Sequence, residues 1–305
     1  MIQAFPASLP QFPTVFPDEE TCRRYLIESR WPDGFVCQRC GNKSAWGNDQ
    51  RMICQSCRHE TTVTAGTVLH HSHLPLLTWF WSAYLVSTMP SLNARALGRA
   101  LGSKNHVTCW ATMNRLRRSM SALDLPKLKG TVEVDEAVVG GYRPGKRGFA
   151  GENKITVLVL VERRSNRTRL VVVPDRKGST LIPVIAKLVE PGTTIITDGH
   201  PGYRGLKKAG FTWVRIPHPV GGLKKGENRA TPAADGAISL FKRWLIGTYN
   251  KPPKDLARYL GEFCFRSEFR NRPDIAFSTL LGLAVKPFYE NRAHPFEIVV
   301  RSPCP

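Results

Sequence analysis

The sequence contains no apolar run long enough to cross a membrane. Its longest such run, Leu74–Met89, is interrupted by Pro75, Thr78, Ser82 and Ser87, and a membrane-spanning helix needs about 20 apolar residues. The N-terminus also lacks the basic residues and the following apolar stretch of a secretory signal. We therefore expect an intracellular, cytoplasmic protein with no membrane partner.

Acidic residues are scarce relative to basic ones. The 305 residues include 24 Asp and Glu against 44 Lys and Arg, which gives a formal net charge of +20. The basic excess lies on both sides of Gly130, so it is not a property of one tail. A field of this sign attracts polyphosphate through counterion release. A basic surface can also aid solubility or bind anionic lipid, but without an amphipathic anchor the composition favours nucleic acid.

Cysteines are few outside one segment. Four of the eight are scattered along the chain: Cys22, Cys109, Cys264 and Cys304. The others form two Cys-x-x-Cys pairs separated by 13 residues: Cys37, Cys40, Cys54 and Cys57. Two such pairs complete a tetrahedral Zn²⁺ site with no open position, so the site should be structural. Disulfides would need an oxidising compartment, and a redox dithiol needs only one pair. We therefore predict a zinc ribbon.

The segment after the ribbon has a helical pattern. Two helices are predicted, Asn93–Leu101 and Val107–Met120, with a break between them at Gly102. A helix, a short turn and a basic helix are typical of a helix-turn-helix motif. Its predicted DNA contacts are Arg115, Arg117 and Arg118. Any helical bundle can show the same pattern, and the arginines can equally form a solvated face.

Beyond a linker at Leu123–Gly130 the pattern changes to strands. Three β-rich runs are followed by alternating helical and strand segments in the order β-β-β-α-β-α-β-α. This order predicts an α/β fold of RNase H-like type, a mixed sheet flanked by helices. The predicted domains are an arm and zinc ribbon at 1–64, a helix-turn-helix-like domain at 65–125 and an RNase H-like domain at 126–305.

Two aspartates occupy positions that suit a catalytic metal site. Asp135 lies within the first strand, and Asp198 ends the strand that follows the first helix. These strands are neighbours in an RNase H-like sheet, so both carboxylates can meet at one point. Like charges brought together repel unless a cation lies between them, and a pair of Mg²⁺ ions suits in-line phosphoryl displacement. The alternative is a turn made by Asp198 with Gly199 and a surface ion pair made by Asp135.

A third ligand is expected from a later helix that begins at Pro232. Asp235 lies in its first turn, where a carboxylate also suits the helix dipole. Lys242 lies two turns further on the same face, about 10 Å away, where it can hold DNA phosphate. Stabilisation of the helix N-terminus by Asp235 and an exposed basic pair of Lys242 and Arg243 are the alternatives.

Four blocks carry a specific resemblance: VEVDEAVVGG, ITDGHPGY, LFKRWLIGTY and RYLGEFCFR. In this order behind a four-cysteine ribbon, they resemble bacterial insertion-sequence transposases that join a zinc ribbon to an RNase H-like DDE domain, the ISXO2-like group. The resemblance covers roughly residues 18–272. It implies cutting or nicking at the element ends and transfer of the 3′-hydroxyl to target DNA with Mg²⁺.

The resemblance also implies roles for individual residues. Asp135 and Asp198 become the first two metal ligands, and Lys242 becomes the basic residue after the third. The third ligand in these relatives is typically Asn, Glu or His, and here it aligns with Asp235. An Asn expected downstream is absent, with Glu268 near its place.

The expected partners follow from the same resemblance. They are double-stranded DNA, both element ends and target, and further copies of this chain in a dimer or higher oligomer on the bacterial nucleoid. Lys146 and Arg147, in a basic, Gly-rich connection, and Arg243 are further predicted DNA contacts. A non-catalytic DNA-binding protein and a metal-dependent nuclease of the same fold are the competing interpretations.

Overall fold

The computed structural model describes residues 5–48, 50–140, 154–216, 231–249 and 255–285. They divide into two compact units. The N-terminal unit comprises the residues up to Ala122 together with a late helix, α9 (Pro273–Val285), and the C-terminal unit runs from Leu123 to Glu268. Helix α9 comes from the segment that the sequence assigns to the RNase H-like domain. None of the described helices is long and apolar enough to cross a membrane.

The N-terminal unit begins with structure where an irregular arm was expected. A 3₁₀ turn at Leu9–Gln11 leads into a short helix, α1 (Phe12–Val15). The expectation was wrong because the aromatic rings of this segment are core residues: Phe12 and Phe16 are buried and pack against each other. Helix α2 (Glu19–Arg30) follows and is capped by Asp18, which accepts a hydrogen bond from the Thr21 amide.

The cysteine segment folds as a small antiparallel sheet. Its strands are β1 (Ala45–Asn48), β2 (Arg51–Cys54) and β3 (Glu60–Thr61), with β2 in the centre. Three further helices complete this part of the unit: α3 (Leu76–Thr88), α4 (Ala94–Ala100) and α5 (His106–Ser121).

The predicted helix pair is confirmed to within one or two residues at each end. Asn93 caps α4 by accepting from the Ala96 amide, and Asn105 caps α5 by accepting from the Thr108 amide. An asparagine at the cap satisfies amides that have no partner inside the helix. These caps explain where α4 and α5 begin. Phe277 of α9 contributes a buried ring to the core of the same unit.

The C-terminal unit contains the mixed five-stranded sheet that the segment order predicts. Its strands are β4 (Thr131–Val139), β5 (Ile155–Glu162), β6 (Thr168–Val173), β7 (Thr194–Thr197) and β8 (Thr212–Arg215). Their order in the sheet is β6-β5-β4-β7-β8. Strands β4 to β6 form an antiparallel meander, whereas β7 pairs in parallel with both β4 and β8. The predicted neighbourhood of the first strand and the strand after the first helix is therefore confirmed.

Helices flank this sheet. They are α6 (Gly178–Leu188), α7 (Pro232–Tyr249) and α8 (Leu256–Glu268). Helix α7 packs on β4 and β5, and α8 packs on β6. The helical segment between β7 and β8 is a 3₁₀ turn, Pro201–Tyr203, which packs against α6. Strand β5 is apolar along most of its length and buried from Val157 onward, as expected for a strand covered on both faces.

Candidate active site and metal centre

The four cysteines of the ribbon meet at one point. All four sulfur atoms lie within 4.8 Å of one another. The Sγ atoms of Cys37 and Cys57 are 3.6 Å apart, and those of Cys40 and Cys54 are 3.5 Å apart. Zinc–sulfur bonds of about 2.3 Å in a tetrahedron require sulfur separations of about 3.8 Å. The cluster therefore fits a structural Zn²⁺, and its thiols form no disulfide.

Each cysteine pair presents its sulfurs through the same backbone turn. The Gly41 amide donates to the Cys37 carbonyl at 2.9 Å, and the Arg58 amide donates to the Cys54 carbonyl at 3.1 Å. Both donor residues have positive φ angles, 74° and 56°. The Cys57 amide points at the Cys54 sulfur and lowers the pKa of that thiol to about 6. The turn thus favours the thiolate form that binds metal.

Strand register brings the first two aspartates together. Strands β4 and β7 are parallel, with Glu133 opposite Ile196. Continuing this register by two residues places Asp135 opposite Asp198, which directly follows β7. Neighbouring strands lie about 4.8 Å apart, so the two residues occupy adjacent positions on two interior strands of the sheet.

The Asp135 carboxyl lies in a negative field. Burial raises its pKa to about 6, and the charges of Glu136, Asp198 and Asp235 act in the same direction. One carboxyl oxygen accepts from the Glu136 amide at 2.7 Å and the other from the Thr231 hydroxyl at 3.3 Å. Neither of these partners in the described part of the chain is a cation, and a divalent ion with oxygen ligands would suit this position.

Asp198 performs the turn role that was the alternative to a metal role. Its Oδ1 accepts from the His200 amide at 2.9 Å. The residue between them, Gly199, has φ +92°, and the Arg215 side chain occupies the space where a Cβ would lie. The bond engages one oxygen of the carboxylate. A turn and a metal contact are therefore compatible at Asp198.

The first turn of α7 brings Asp235 near Asp135, so that the Asp235 charge helps to raise the pKa of Asp135. Its amide donates to the Thr231 carbonyl at 2.9 Å, and the Thr231 hydroxyl contacts Asp135. Yet among the described residues only the cysteine cluster brings three or more metal-ligating side chains within 4.8 Å of one another. The three aspartates thus share one region without closing to that spacing, and a joint Mg²⁺ site stays a prediction.

The basic residues predicted to lie beside this site fall into two groups. Lys242 and Arg243 are exposed on α7, which leaves their predicted contacts with DNA open. Lys146 and Arg147 lie outside the described residues, as does Glu227, an acidic residue of the segment before α7.

Two further carboxylates of β4, which the sequence analysis did not assign to the site, lie beside Asp135 along the strand. Glu136 is buried, and its oxygens accept from the Tyr203 hydroxyl at 2.5 Å and from Arg176 at 2.7 Å. Glu133 is buried on the opposite face and accepts from backbone amides of α7. The signal for both was a run of acidic residues inside an otherwise apolar strand.

Glu268, which lies near the place of an expected Asn, is held by arginine. Its carboxylate forms an ion pair with the Arg169 guanidinium at 2.9 Å, and Arg169 is itself buried. Glu262 is buried as well and pairs with Arg266 at 2.8 Å. Both glutamates therefore have structural partners within the C-terminal unit.

The arginines of α5 require a correction. Arg117 is 1% exposed and donates to the Asn114 side chain at 3.2 Å. Arg115 donates to the backbone carbonyls of Val68 and His70 at 3.2 and 2.8 Å. A buried guanidinium has no access to DNA, so the assignment of Arg117 is wrong, and Arg115 is engaged in fixing a neighbouring loop. A DNA contact by Arg118, which is half-buried, stays a prediction.

The solvent-facing surface of α5 lies nearer its N-terminus. Val107 is 70% exposed and Trp110 is 52% exposed, and Lys104 and His106 beside them are also exposed. In helix-turn-helix proteins the N-terminal residues of the second helix contact base edges. The exposed residues therefore occupy the place that the arginines were predicted to fill.

Comparisons with known proteins agree on the two parts of the chain. A family model described as a transposase zinc-ribbon domain matches residues 17–60. A second, described as an ISXO2-like transposase domain, matches residues 127–268. An uncharacterized protein in the transposable element ISH50 of Halobacterium salinarum is 28% identical over 294 residues, which cover 88% of this chain and 98% of that protein.

We expect one zinc ion per chain, because four convergent thiolates form a closed site. Elemental analysis of the purified protein measures it directly. Cys40→Ser should lower the zinc content well below one, whereas Cys109→Ala, a buried cysteine outside the cluster, should leave it unchanged. A zinc content near zero in the unaltered chain, with four reactive ribbon thiols, would contradict the assignment.

Replacing Asp135 should stabilise the protein at neutral pH when no Mg²⁺ is added. Its pKa of about 6, against an ordinary 3.8, means that the folded state holds the proton more tightly than the unfolded state does. The resulting stability is present below about pH 4 and is lost as the pH rises through 6. Asp135→Asn should therefore raise the free energy of unfolding at pH 7 by on the order of 2–3 kcal/mol, with little gain at pH 4.

Thermal melting at both pH values measures this effect. Asp175→Asn is a suitable control, because hydrogen bonds from Thr180 and Lys177 lower the pKa of Asp175 and its replacement should bring no gain at pH 7. Equal melting temperatures for Asp135→Asn and the unaltered chain at pH 7 would show that the carboxyl is not buried in a negative field.

Proposed function

We propose that this chain binds the ends of an insertion sequence and catalyses Mg²⁺-dependent cleavage and strand transfer into target DNA, on the premise of its matches to a transposase zinc-ribbon domain and an ISXO2-like transposase domain. The observation that carries the proposal is the register of β4 and β7, which sets Asp135 and Asp198 side by side. A non-catalytic protein has no need for two adjacent carboxylates whose like charges repel each other.

Asp135, Asp198 and Asp235 are the residues that would hold the metal. When bound, a pair of Mg²⁺ ions neutralises the developing charge and clamps the attacking and leaving oxygens of an in-line displacement. The chain itself supplies oxygen ligands and a partly buried setting, in which electrostatic interactions are stronger than in water. Asp235 has a short side chain, so it either approaches closely through its helix or binds through water.

Lys242 orients the DNA in this proposal. It lies two helical turns beyond Asp235 on α7 and is exposed, so a phosphate of the bound strand can rest on it while the scissile phosphate lies at the carboxylates. Arg243 beside it adds a second exposed positive charge. Both residues act by positioning the substrate, and neither takes part in the proton transfers.

We assign recognition of the element ends to the N-terminal unit. Lys104, His106, Val107 and Trp110 form an exposed patch at the start of α5, here named the α5 tip. Lys104 supplies charge for the phosphates, and the two apolar side chains are suited to contacts with thymine methyl groups in the major groove. We therefore assign recognition of the DNA bases to the α5 tip and not to Arg115 and Arg117.

Two other functions make different predictions. A metal-dependent nuclease with this site would cut the same DNA but would not join the 3′-end to a target. A DNA-binding protein without catalysis would bind element ends and leave them intact. Supercoiled DNA that carries the native element ends, incubated with the protein and Mg²⁺, separates all three by its products: joined, only cut, or unchanged.

Asp198→Asn should abolish both cutting and joining and leave end binding intact. The matched control is Asp175→Asn, because Asp175 accepts the same turn bond, from the amide two residues further on at 2.9 Å, and is not one of the proposed metal ligands. Asn can keep either turn, so a loss of at least about a hundredfold confined to position 198 indicates a metal role. Equal activity of the two variants would refute it.

Asp235→Asn and Asp235→Glu in the same assay determine whether α7 provides the third ligand. Loss of activity in the first and activity in the second support the triad. Full activity of Asp235→Asn would leave this residue with helix stabilisation alone.

Trp110→Ala should weaken binding to the element ends by about tenfold or more, the range of one lost base contact, while binding to unrelated DNA stays the same. Leu9→Ala is a control, since Leu9 is 48% exposed elsewhere in the same unit. Fluorescence anisotropy at several salt concentrations measures both affinities. An equal loss on specific and unrelated DNA would show that the α5 tip reads no sequence.

The full chain is the right sample for this measurement. A fragment that ends near residue 125 would lack α9, whose Phe277 is part of the N-terminal core, so loss of binding in the fragment would have two causes.

A further inference from the structure

We propose that Glu133 is a positioning residue that fixes the start of α7, and with it Asp235, against the strand that carries Asp135. This inference rests on the proposed function, because it gives a catalytic meaning to a structural contact. Nothing in the spacing of the aspartates alone requires a carboxylate at position 133.

The contact joins a buried side chain to backbone amides. Glu133 has a side-chain exposure of 0%. Its Oε2 accepts from the Ala233 amide at 2.6 Å and from the Ala234 amide at 3.0 Å. Its Oε1 accepts from the Arg163 Nε at 2.5 Å. Both carboxylate oxygens of Glu133 are therefore engaged, one with the helix and one with a cation.

The two amides belong to the first turn of α7, where amides have no partner inside the helix. A side chain just before a helix normally accepts from such amides. Here Thr231, which directly precedes α7, instead points its hydroxyl at Asp135 at 3.3 Å. Glu133 of β4, the strand on which α7 packs, thus takes over the capping role. The Thr231 hydroxyl is left available to Asp135.

The arrangement ties α7 to β4 at two points. Glu133 and Asp135 are two residues apart on one strand and project to the same face. They contact, respectively, the amides of residues 233 and 234 and the side chain of residue 231, all within the turn that carries Asp235. A carboxylate near a helix N-terminus is also favoured by the helix dipole. The position of Asp235 relative to Asp135 therefore depends on Glu133.

Glu133→Gln tests the contact, with Glu162→Gln as the matched control. Glu162 is a similarly buried, ion-paired carboxylate on the neighbouring strand β5, but its bonds go to Lys129, Ser165 and Arg167. Hydrogen–deuterium exchange of the first turn of α7 is measured on full-length protein without DNA or Mg²⁺. We expect exchange at Ala233 and Ala234 to accelerate at least tenfold in Glu133→Gln and to be unchanged in Glu162→Gln.

The second readout is the Mg²⁺ concentration that gives half-maximal strand transfer. We expect it to rise about tenfold or more in Glu133→Gln, with end binding unchanged, and to keep its normal value in Glu162→Gln. If Glu133, like Glu162, had only a structural role, each variant would have a lower melting temperature. The Mg²⁺ requirement for strand transfer would then be unchanged in both.

The outcomes separate the two proposals. Exchange that is unchanged in Glu133→Gln overturns the inference, as does faster exchange with a normal Mg²⁺ requirement. An unaltered chain that joins no DNA overturns the proposed function, whereas the exchange result still decides whether Glu133 holds α7. If Glu133→Gln does not fold, the unaltered protein suffices: amides of Ala233 and Ala234 that exchange at the rate of an unfolded chain would overturn the contact.

Discussion

The burial of negative charge around β4 is the constraint on which the rest of the C-terminal unit depends. A carboxylate taken out of water is costly unless it is paired or hydrogen-bonded. Glu136 has Arg176 and the Tyr203 hydroxyl, and Glu133 has Arg163 and two helix amides. Helix α7 covers one face of the sheet and the Tyr203 turn covers the other. Hydrogen bonds to these buried carboxylates therefore hold both elements in place.

Asp135 differs from these two glutamates, and the difference indicates where the candidate site lies. Between two neutralised glutamates, its described contacts are one backbone amide and one hydroxyl. Its pKa is raised because burial and nearby carboxylates disfavour the ionised form. Among the described residues, arginines pair with Glu133 and Glu136 but not with Asp135, so a divalent cation with oxygen ligands would suit that position. The same feature lowers the stability of the metal-free protein, as functional sites commonly do.

The sequence was sufficient where one local rule decides the outcome. Helical patterning with a break at Gly102 predicted the extents of α4 and α5, cysteine spacing predicted the ribbon cluster, and segment order predicted the pairing of β4 with β7, from which the adjacency of Asp135 and Asp198 follows. It was insufficient where burial depends on distant partners. Alternation shows that Glu133 and Asp135 share a face but not that a helix N-terminus covers one of them. In the same way, a basic helix does not reveal that Arg117 is enclosed while Trp110 is exposed.

The Glu133 contact gives a physical reason for aspartate at position 235. The resemblance leads one to expect Asn, Glu or His at the third position, and aspartate has a shorter reach than glutamate. If Glu133 draws the first turn of α7 onto β4, the backbone already supplies the approach that a longer side chain would otherwise provide. The amide of residue 235 donates to the Thr231 carbonyl at 2.9 Å, and the Thr231 hydroxyl contacts Asp135. The side chain of residue 235 therefore extends from a backbone that is fixed close to Asp135. Under this proposal the length of residue 235 and the presence of a carboxylate at 133 are coupled: a glutamate at 235 would tolerate a looser helix start, and an aspartate would not.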